Sequence, residues 1–143
     1  MASSLFGLGR LPGIERPAIA LTLPTIKRPF LLLDAGANSS CTPEMLYQFA
    51  LMGTTFVKNV YGYENPRVGV LNIGEEAGKG NELVQKTYKM LEENKDGMNF
   101  IGNVEGKEIF RGTCDVIVCD GFVGNVALKT VEGSSSMLFE MIK

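Results

Sequence analysis

The chain has 143 residues, 45% of them hydrophobic, a net charge of −2 at neutral pH and a pI near 5.2. That is enough apolar material for the core of a single domain. The charge balance gives no basic footprint for nucleic acid, no apolar run is long enough to span a bilayer, and the absence of histidine removes Ser–His and Cys–His nucleophile pairs and histidine metal sites.

The opening MASSLFGLGR lacks the charged start and long apolar stretch of a secretory signal. Residues 10–29, RLPGIERPAIALTLPTIKRP, carry four prolines, so only AIALTL is expected as a strand. FLLLDAG, residues 30–36, is a second strand, and the short TIKRP link predicts that the two pair as a hairpin. Thr42, Pro43 and Glu44 then mark a helix start. Met45, Leu46, Phe49, Met52, Phe56 and Val57 follow at helical spacing. RVGVLNIG, residues 67–74, has a continuous apolar stretch, as in a parallel strand buried on both faces. A helix with Leu83, Val84, Tyr88 and Leu91 on one side comes next. MNFIGNV, residues 98–104, is a strand followed by a short helix around Glu105 to Phe110. CDVIVCDG, residues 114–121, is the fifth strand. The last helix carries Val126, Ala127, Val131, Leu138 and Met141, with its middle weakened by Ser134, Ser135 and Ser136.

This alternation predicts an α/β class: a mostly parallel sheet with helices on both faces. The three cysteines, Cys41, Cys114 and Cys119, form no disulfide framework and fit a reducing compartment. Cys114 and Cys119 are expected as small core residues.

Open parallel sheets bind ligands beyond the carboxyl ends of their strands. Four such ends carry Gly with Asp, Asn, Glu or Lys: 34–38, 74–82, 102–105 and 120–125. Together they predict one shared cleft. Within the second, NIGEEAGKGNELVQ resembles a Walker loop, G-x-x-x-x-G-K-[ST]. The spacer between Gly74 and Gly78 is one residue short, and Gly80 stands where the magnesium-binding hydroxyl belongs. Two readings remain. In one, Gly78 and Gly80 bring backbone N–H groups against an anion at a helix start near Asn81, with Lys79 adding charge. In the other, the stretch is a flexible loop with a solvated lysine. Asp120 caps the last helix or orients a nucleophile. Asn103 and Glu105 contact a ligand or close a turn. Asp34 caps, and Asn38 takes a left-handed turn.

The strings GRLPGIERPAIALTLPT, LLLDAGAN, LYQFALMG, ENPRVGVLNIGEEAGKGNEL, FIGNVEGKEIF and CDVIVCDGFVGNVALKTVEG resemble the bacterial phosphate acyltransferase of phospholipid synthesis. They cover nearly the whole chain, in order. The resemblance implies an α/β/α fold like phosphate acetyltransferases and isocitrate dehydrogenases. It implies a cytosolic homodimer loosely attached to the membrane surface. It also implies a family chain more than twice as long, of which these residues are the central portion, so that residues 1–143 form an incomplete α/β domain. The implied reaction moves an acyl group from acyl carrier protein to inorganic phosphate, giving acyl phosphate, with no cofactor and no metal.

On that resemblance GEEAGKGNE becomes an anion site. Lys79 and the amides of Gly78, Gly80 and Asn81 suit phosphate. Asn103, Asn125 or amides after Gly121 suit the oxyanion, and Asp120 orients phosphate or takes its proton. Asp34, Asn38, Glu105 and Gly124 complete the expected lining. Arg10, Arg16, Lys27 and Arg28 are candidate contacts for the acidic carrier protein. Two rivals remain. One is a dehydrogenase-like nucleotide binder, although GKGNEL lacks the third glycine. The other is a non-catalytic module that dimerises or binds the carrier.

Overall fold

The computed structural model describes residues 4–5, 17–95 and 97–143. The first strand, β1 (Ser4–Leu5), pairs antiparallel with β2 (Ile19–Leu23). The expected hairpin follows: β2 pairs antiparallel with β3 (Phe30–Leu33), from Leu23 opposite Phe30 to Ala20 opposite Leu33. Its turn is closed locally. The Thr25 hydroxyl donates to the Arg28 carbonyl at 2.8 Å and accepts from the Lys27 amide at 2.9 Å.

Helix α1 (Pro43–Phe56) starts as its residues predict, with the Thr42 hydroxyl accepting from the Met45 amide at 3.2 Å. It widens into a π-helical turn at Val57–Tyr61, and Gly62 ends it with a φ of +74°. Then come β4 (Arg67–Asn72), α2 (Glu82–Glu93), β5 (Asn99–Glu105), β6 (Val116–Val118) and α3 (Gly121–Met141). The helix expected near 105–110 is reduced to a 3-10 turn at Gly106–Glu108.

The six strands lie in the order β1-β2-β3-β6-β4-β5. β3, β6, β4 and β5 are mutually parallel. The last strand in sequence thus inserts between β3 and β4, at the centre of the sheet. Its three residues, Val116 to Val118, are fully buried. Burial on both faces explains the unbroken apolar runs of β3 and β4. On one face Leu31, Leu33, Val68, Val70, Val116 and Val118 pack under α1 and α2. On the other, Phe30, Leu32, Ile117 and Cys119 pack with Ile109 and with Leu128 of α3.

α3 departs from expectation. Its apolar spacing predicted a buried face, but only Gly121, Gly124 and Leu128 are buried. Val126, Leu138 and Met141 are 52%, 55% and 71% exposed. The serine triplet does not break the helix, which runs 21 residues. Its first turns rest on the sheet, while the later ones find nothing opposite them among the described residues.

At the amino ends of the parallel strands, Asp115 is fully buried. Its carboxylate accepts from Arg28 Nε at 3.0 Å, Arg67 Nε and Nη2 at 3.1 Å, and the Arg67 amide at 2.8 Å. Burial pushes this carboxyl upward, but the hydrogen bonds from Arg67 and Arg28 outweigh it and hold it below the usual range. The arginines lock β3, β6 and β4 together at that edge.

Candidate active site at the carboxyl edge of the sheet

Because four strands are parallel, the segments after Leu33, Val118, Asn72 and Glu105 emerge along one edge. The structure gathers the predicted residues there into two groups, one over β3 and β6, the other over β4 and β5.

In the first group, Asp34 is fully buried. Its Oδ1 accepts from the amides of Ile19 (3.1 Å), Gly36 (3.0 Å) and Ala37 (2.8 Å). Its Oδ2 accepts from the amide and the side chain of Asn38, at 2.8 and 2.9 Å. Asn38 Nδ2 also donates to the Pro17 carbonyl at 2.9 Å. Both residues are therefore occupied in building the 34–38 turn, not held open as the expected ligand contacts, and Asn38 does not take the left-handed conformation expected of it. The turn in turn seats α3. The Gly121 amide donates to the Asn38 carbonyl at 2.6 Å. A Cβ at Gly121 would lie 2.5 Å from that carbonyl, and one at Gly124 would lie 2.0 Å from the Asp34 carbonyl. These glycines answer to helix–turn contact. Asp120 caps α3, its Oδ1 accepting from the Val123 amide at 2.8 Å. Asn125 is exposed, its side chain beside Gly36.

The second group is the glycine loop. Asn81 caps α2, its Oδ1 accepting from the Val84 amide at 3.0 Å. The positive end of a 12-residue helix thus opens where Gly78 to Asn81 stand. Lys79 is exposed and, among the described residues, enters no ion pair. Its stem lies on Gly74, where a Cβ would come within 3.0 Å of Lys79 Cγ. Gly80 has a φ of +95°, and a Cβ there would meet Asn72 Oδ1 at 2.5 Å. A hydroxyl-bearing residue does not fit at this position, which disposes of the Walker reading. Gly78 faces open space. Asn103 donates through Nδ2 to the Glu76 carbonyl at 2.8 Å, and its Oδ1 is buried without a partner among the described residues. Glu105 ends β5 half-buried and makes no capping bond.

Sequence reasoning passed over Asn72. It is 8% exposed at the end of β4. The one signal was a carboxamide closing an otherwise apolar strand.

Cys114 and Cys119 are buried as expected. Burial pushes the Cys114 thiol up to about 12, and burial with the nearby Asp120 and Asp34 charges pushes Cys119 higher still. Neither supplies a thiolate nucleophile. Among the described residues no cluster of three metal-ligating side chains occurs, and no helix is long and apolar enough to cross a membrane.

The candidate basic patch is dispersed. Arg28 is engaged by Asp115 at the opposite edge and stacks on Tyr63, 3.8 Å from the ring centre. Lys27 lies in the same hairpin turn, its stem against Gly112. Arg10 and Arg16 lie outside the described residues.

A family described as fatty acid synthesis protein matches residues 1–143. The phosphate acyltransferase of Halothermothrix orenii is 57% identical over all of this chain and 43% of its own length. That of Dictyoglomus turgidum is 54% identical over 99% of this chain and 42% of its own. The chain thus spans less than half the length of these relatives. In fold it is similar to the EutD phosphotransacetylase of Staphylococcus aureus, with a TM-score of 0.67 and 16% identity over 88% of this chain and 44% of that one. A phosphotransacetylase of Streptococcus pyogenes gives 0.63 at 16% identity, over 87% and 44%.

Proposed function

The chain belongs to the fatty acid synthesis protein family, and on that premise we propose that it carries the phosphate-binding part of an acyltransferase. The enzyme moves a fatty acyl group from acyl carrier protein to inorganic phosphate, and the acyl phosphate feeds phospholipid synthesis. The observation that carries this reading is Lys79, exposed and without an ion-pair partner among the described residues, on a glycine loop that ends at the N-terminus of α2. Relatives over 50% identical to the whole chain are named phosphate acyltransferases.

The chemistry asks for positioning more than for covalent catalysis. A phosphate oxygen attacks the thioester carbonyl, the tetrahedral intermediate collapses, and the C–S bond breaks with the carrier's thiolate leaving. The Lys79 side chain and the amides of Gly78, Gly80 and Asn81 hold the dianion. The oxyanion needs preorganised donors. The Gly121 amide is committed to Asn38 and one N–H of Asn103 to Glu76, which leaves Asn125 on the second turn of α3 and the other N–H of Asn103. Asp120 has one oxygen in the cap and one left to orient phosphate or take its proton. No histidine is required, because a thiolate leaves without a strong general acid. Homodimer formation, a cytoplasmic location and contact with the inner membrane surface complete the proposal, supported by the apolar residues exposed on α3.

The test is a chimera in which residues 1–143 replace the matching segment of the Halothermothrix orenii relative. It should form acyl phosphate from acyl-acyl carrier protein and phosphate. Lys79→Ala within it should raise the KM for phosphate by tenfold or more, at about 1.5–3 kcal/mol for lost charge-assisted contacts, with the KM for the acyl donor little changed. A folded chimera with no acyl phosphate formed, or an unchanged phosphate dependence in the variant, rejects the reading.

A further inference from the structure

The glycine loop is short of internal structure. Between Ile73 and Asn81 one backbone bond is made within it, from the Lys79 amide to the Glu76 carbonyl at 3.1 Å. Gln85 of α2 donates through Nε2 to the Gly80 carbonyl at 2.7 Å, and the rest of what holds the loop down comes from two strands beneath. Asn72, the last residue of β4, donates through Nδ2 to the Lys79 carbonyl at 3.1 Å and accepts at Oδ1 from the Ile73 amide at 2.7 Å. Asn103, in neighbouring β5, donates through Nδ2 to the Glu76 carbonyl at 2.8 Å. The partners fix the orientation of both carboxamides. Flipping Asn72 would set oxygen against the Lys79 carbonyl and NH2 against the Ile73 amide, and flipping Asn103 would oppose two oxygens. The loop is thus pinned at each end of its Glu76–Lys79 turn. The close approach of Gly80 to Asn72 adds shape to the same contact, since a Cβ would displace the carboxamide.

We propose that Asn72 and Asn103 are positioning residues: they clamp the Glu76–Lys79 turn to the ends of β4 and β5 and so aim Lys79 at the anion. Neither need touch the anion. Asn72 acts on the carbonyl of the lysine itself, so its loss frees the one residue whose charge the site uses. A buried carboxamide does this better than a charged group. It offers a donor and an acceptor on one rigid plane and adds no charge to compete with phosphate. The functional half of this inference rests on the reading of the loop as an anion site; the clamp itself does not.

The experiment uses the 143-residue chain, with inorganic phosphate as probe, and two measurements. Hydrogen exchange of the Ile73 and Lys79 amides, loop amides that donate hydrogen bonds, tests the clamp. Asn72→Ala and Asn103→Ala should each speed exchange there by about tenfold, with core strand amides unchanged. Exchange in the loop unchanged in both variants overturns the clamp. Phosphate titration tests the aiming. Asn72→Ala should weaken phosphate binding about fivefold, as expected for one lost neutral hydrogen bond. In a Lys79→Ala background the same substitution should have no further effect, because it acts through the lysine. An additive effect, or no effect of Asn72→Ala on a chain whose loop has loosened, overturns the aiming. If Lys79→Ala alone leaves phosphate affinity unchanged, the anion-site reading fails instead, and the exchange data still decide whether the loop is clamped.

Discussion

Two glycines one residue apart in the same motif are there for different reasons. Gly80 is dictated by the fold: its φ is +95° and Asn72 occupies the space a side chain would need. Gly78 faces open space and is dictated by nothing in the fold. Chemical denaturation should therefore show Gly80→Ala less stable by about 1–2 kcal/mol. Gly78→Ala should stay within about 0.5 kcal/mol of the parent, while its phosphate binding weakens because the methyl group obstructs the approach to the loop amides. Equal stability losses in the two variants would contradict this division. Asp120 separates in a similar way. Asparagine caps a helix as well as aspartate does, so Asp120→Asn should keep the melting temperature, and Asp120→Ala should cost about 1 kcal/mol. In the chimera, Asp120→Asn should still lower kcat, since a neutral amide cannot take a proton from phosphate. Full activity in that variant would reduce Asp120 to a cap.

At the scale of elements, β6 is the hinge of stability. Its neighbour Asp115 is held below the usual carboxylate range. A depressed folded pKa gives stability that is present above the unfolded value, about 3.9, and lost as pH falls through the folded one. Acid titration of stability should show that loss below about pH 3.9, and Asp115→Asn should flatten it. At neutral pH the same substitution should destabilise by about 1.5–3 kcal/mol, because two arginines lose the negative charge and one of two acceptor oxygens becomes an NH2 facing their N–H groups. The starts of α1, α2 and α3 were legible in sequence, since Thr42, Asn81 and Asp120 act within three residues of themselves. The hairpin and the parallel strands were legible from prolines and apolar runs. The place of β6 between β3 and β4 was not, because no local signal encodes a crossover. Nor was the exposure of α3: periodicity shows which side of a helix is apolar, not whether anything lies against it. Asp34 and Asn38 looked like ligand contacts because the same residue types build turns and bind anions. Asn72 escaped notice because its partners are carbonyl and amide groups, which a sequence does not display.

At the scale of the whole molecule, Phe122, Val126, Met137, Leu138, Phe139, Met141 and Ile142 are exposed along and just beyond α3. Clustered apolar surface of this kind favours association. Sedimentation of the 143-residue chain should show a concentration-dependent increase in mass, reduced by the double substitution Phe139→Ser and Met141→Ser. A monomer at all concentrations would mean this surface is harmless in water. The carboxyl edge of the sheet is as open as the helix: Gly78, Lys79 and Asn125 are all exposed. Donors left that open to water on one side lack a wall to hold the substrate against them, and an error near 1 Å can cost about a hundredfold in rate. The chain by itself is therefore expected to bind phosphate weakly and to give far less acyl phosphate than the chimera.

The arginine lock and the glycine loop stand at opposite ends of one strand. β4 carries Arg67 at its start and Asn72 at its finish, roughly 16 Å apart at about 3.3 Å per residue. The lock and the central strands hold the sheet without any help from the side chains of Glu75, Glu76, Ala77 or Gly78, all of them exposed. This gives the protein room to evolve. A library randomised at 75–78 should fold almost throughout, so selection on it would sort acceptor preference rather than survival. Arsenate, sulfate or a small carboxylate could then be offered in place of phosphate. A library at Arg67, Asp115 and Arg28 should do the reverse, yielding few soluble members and no change of acceptor among them.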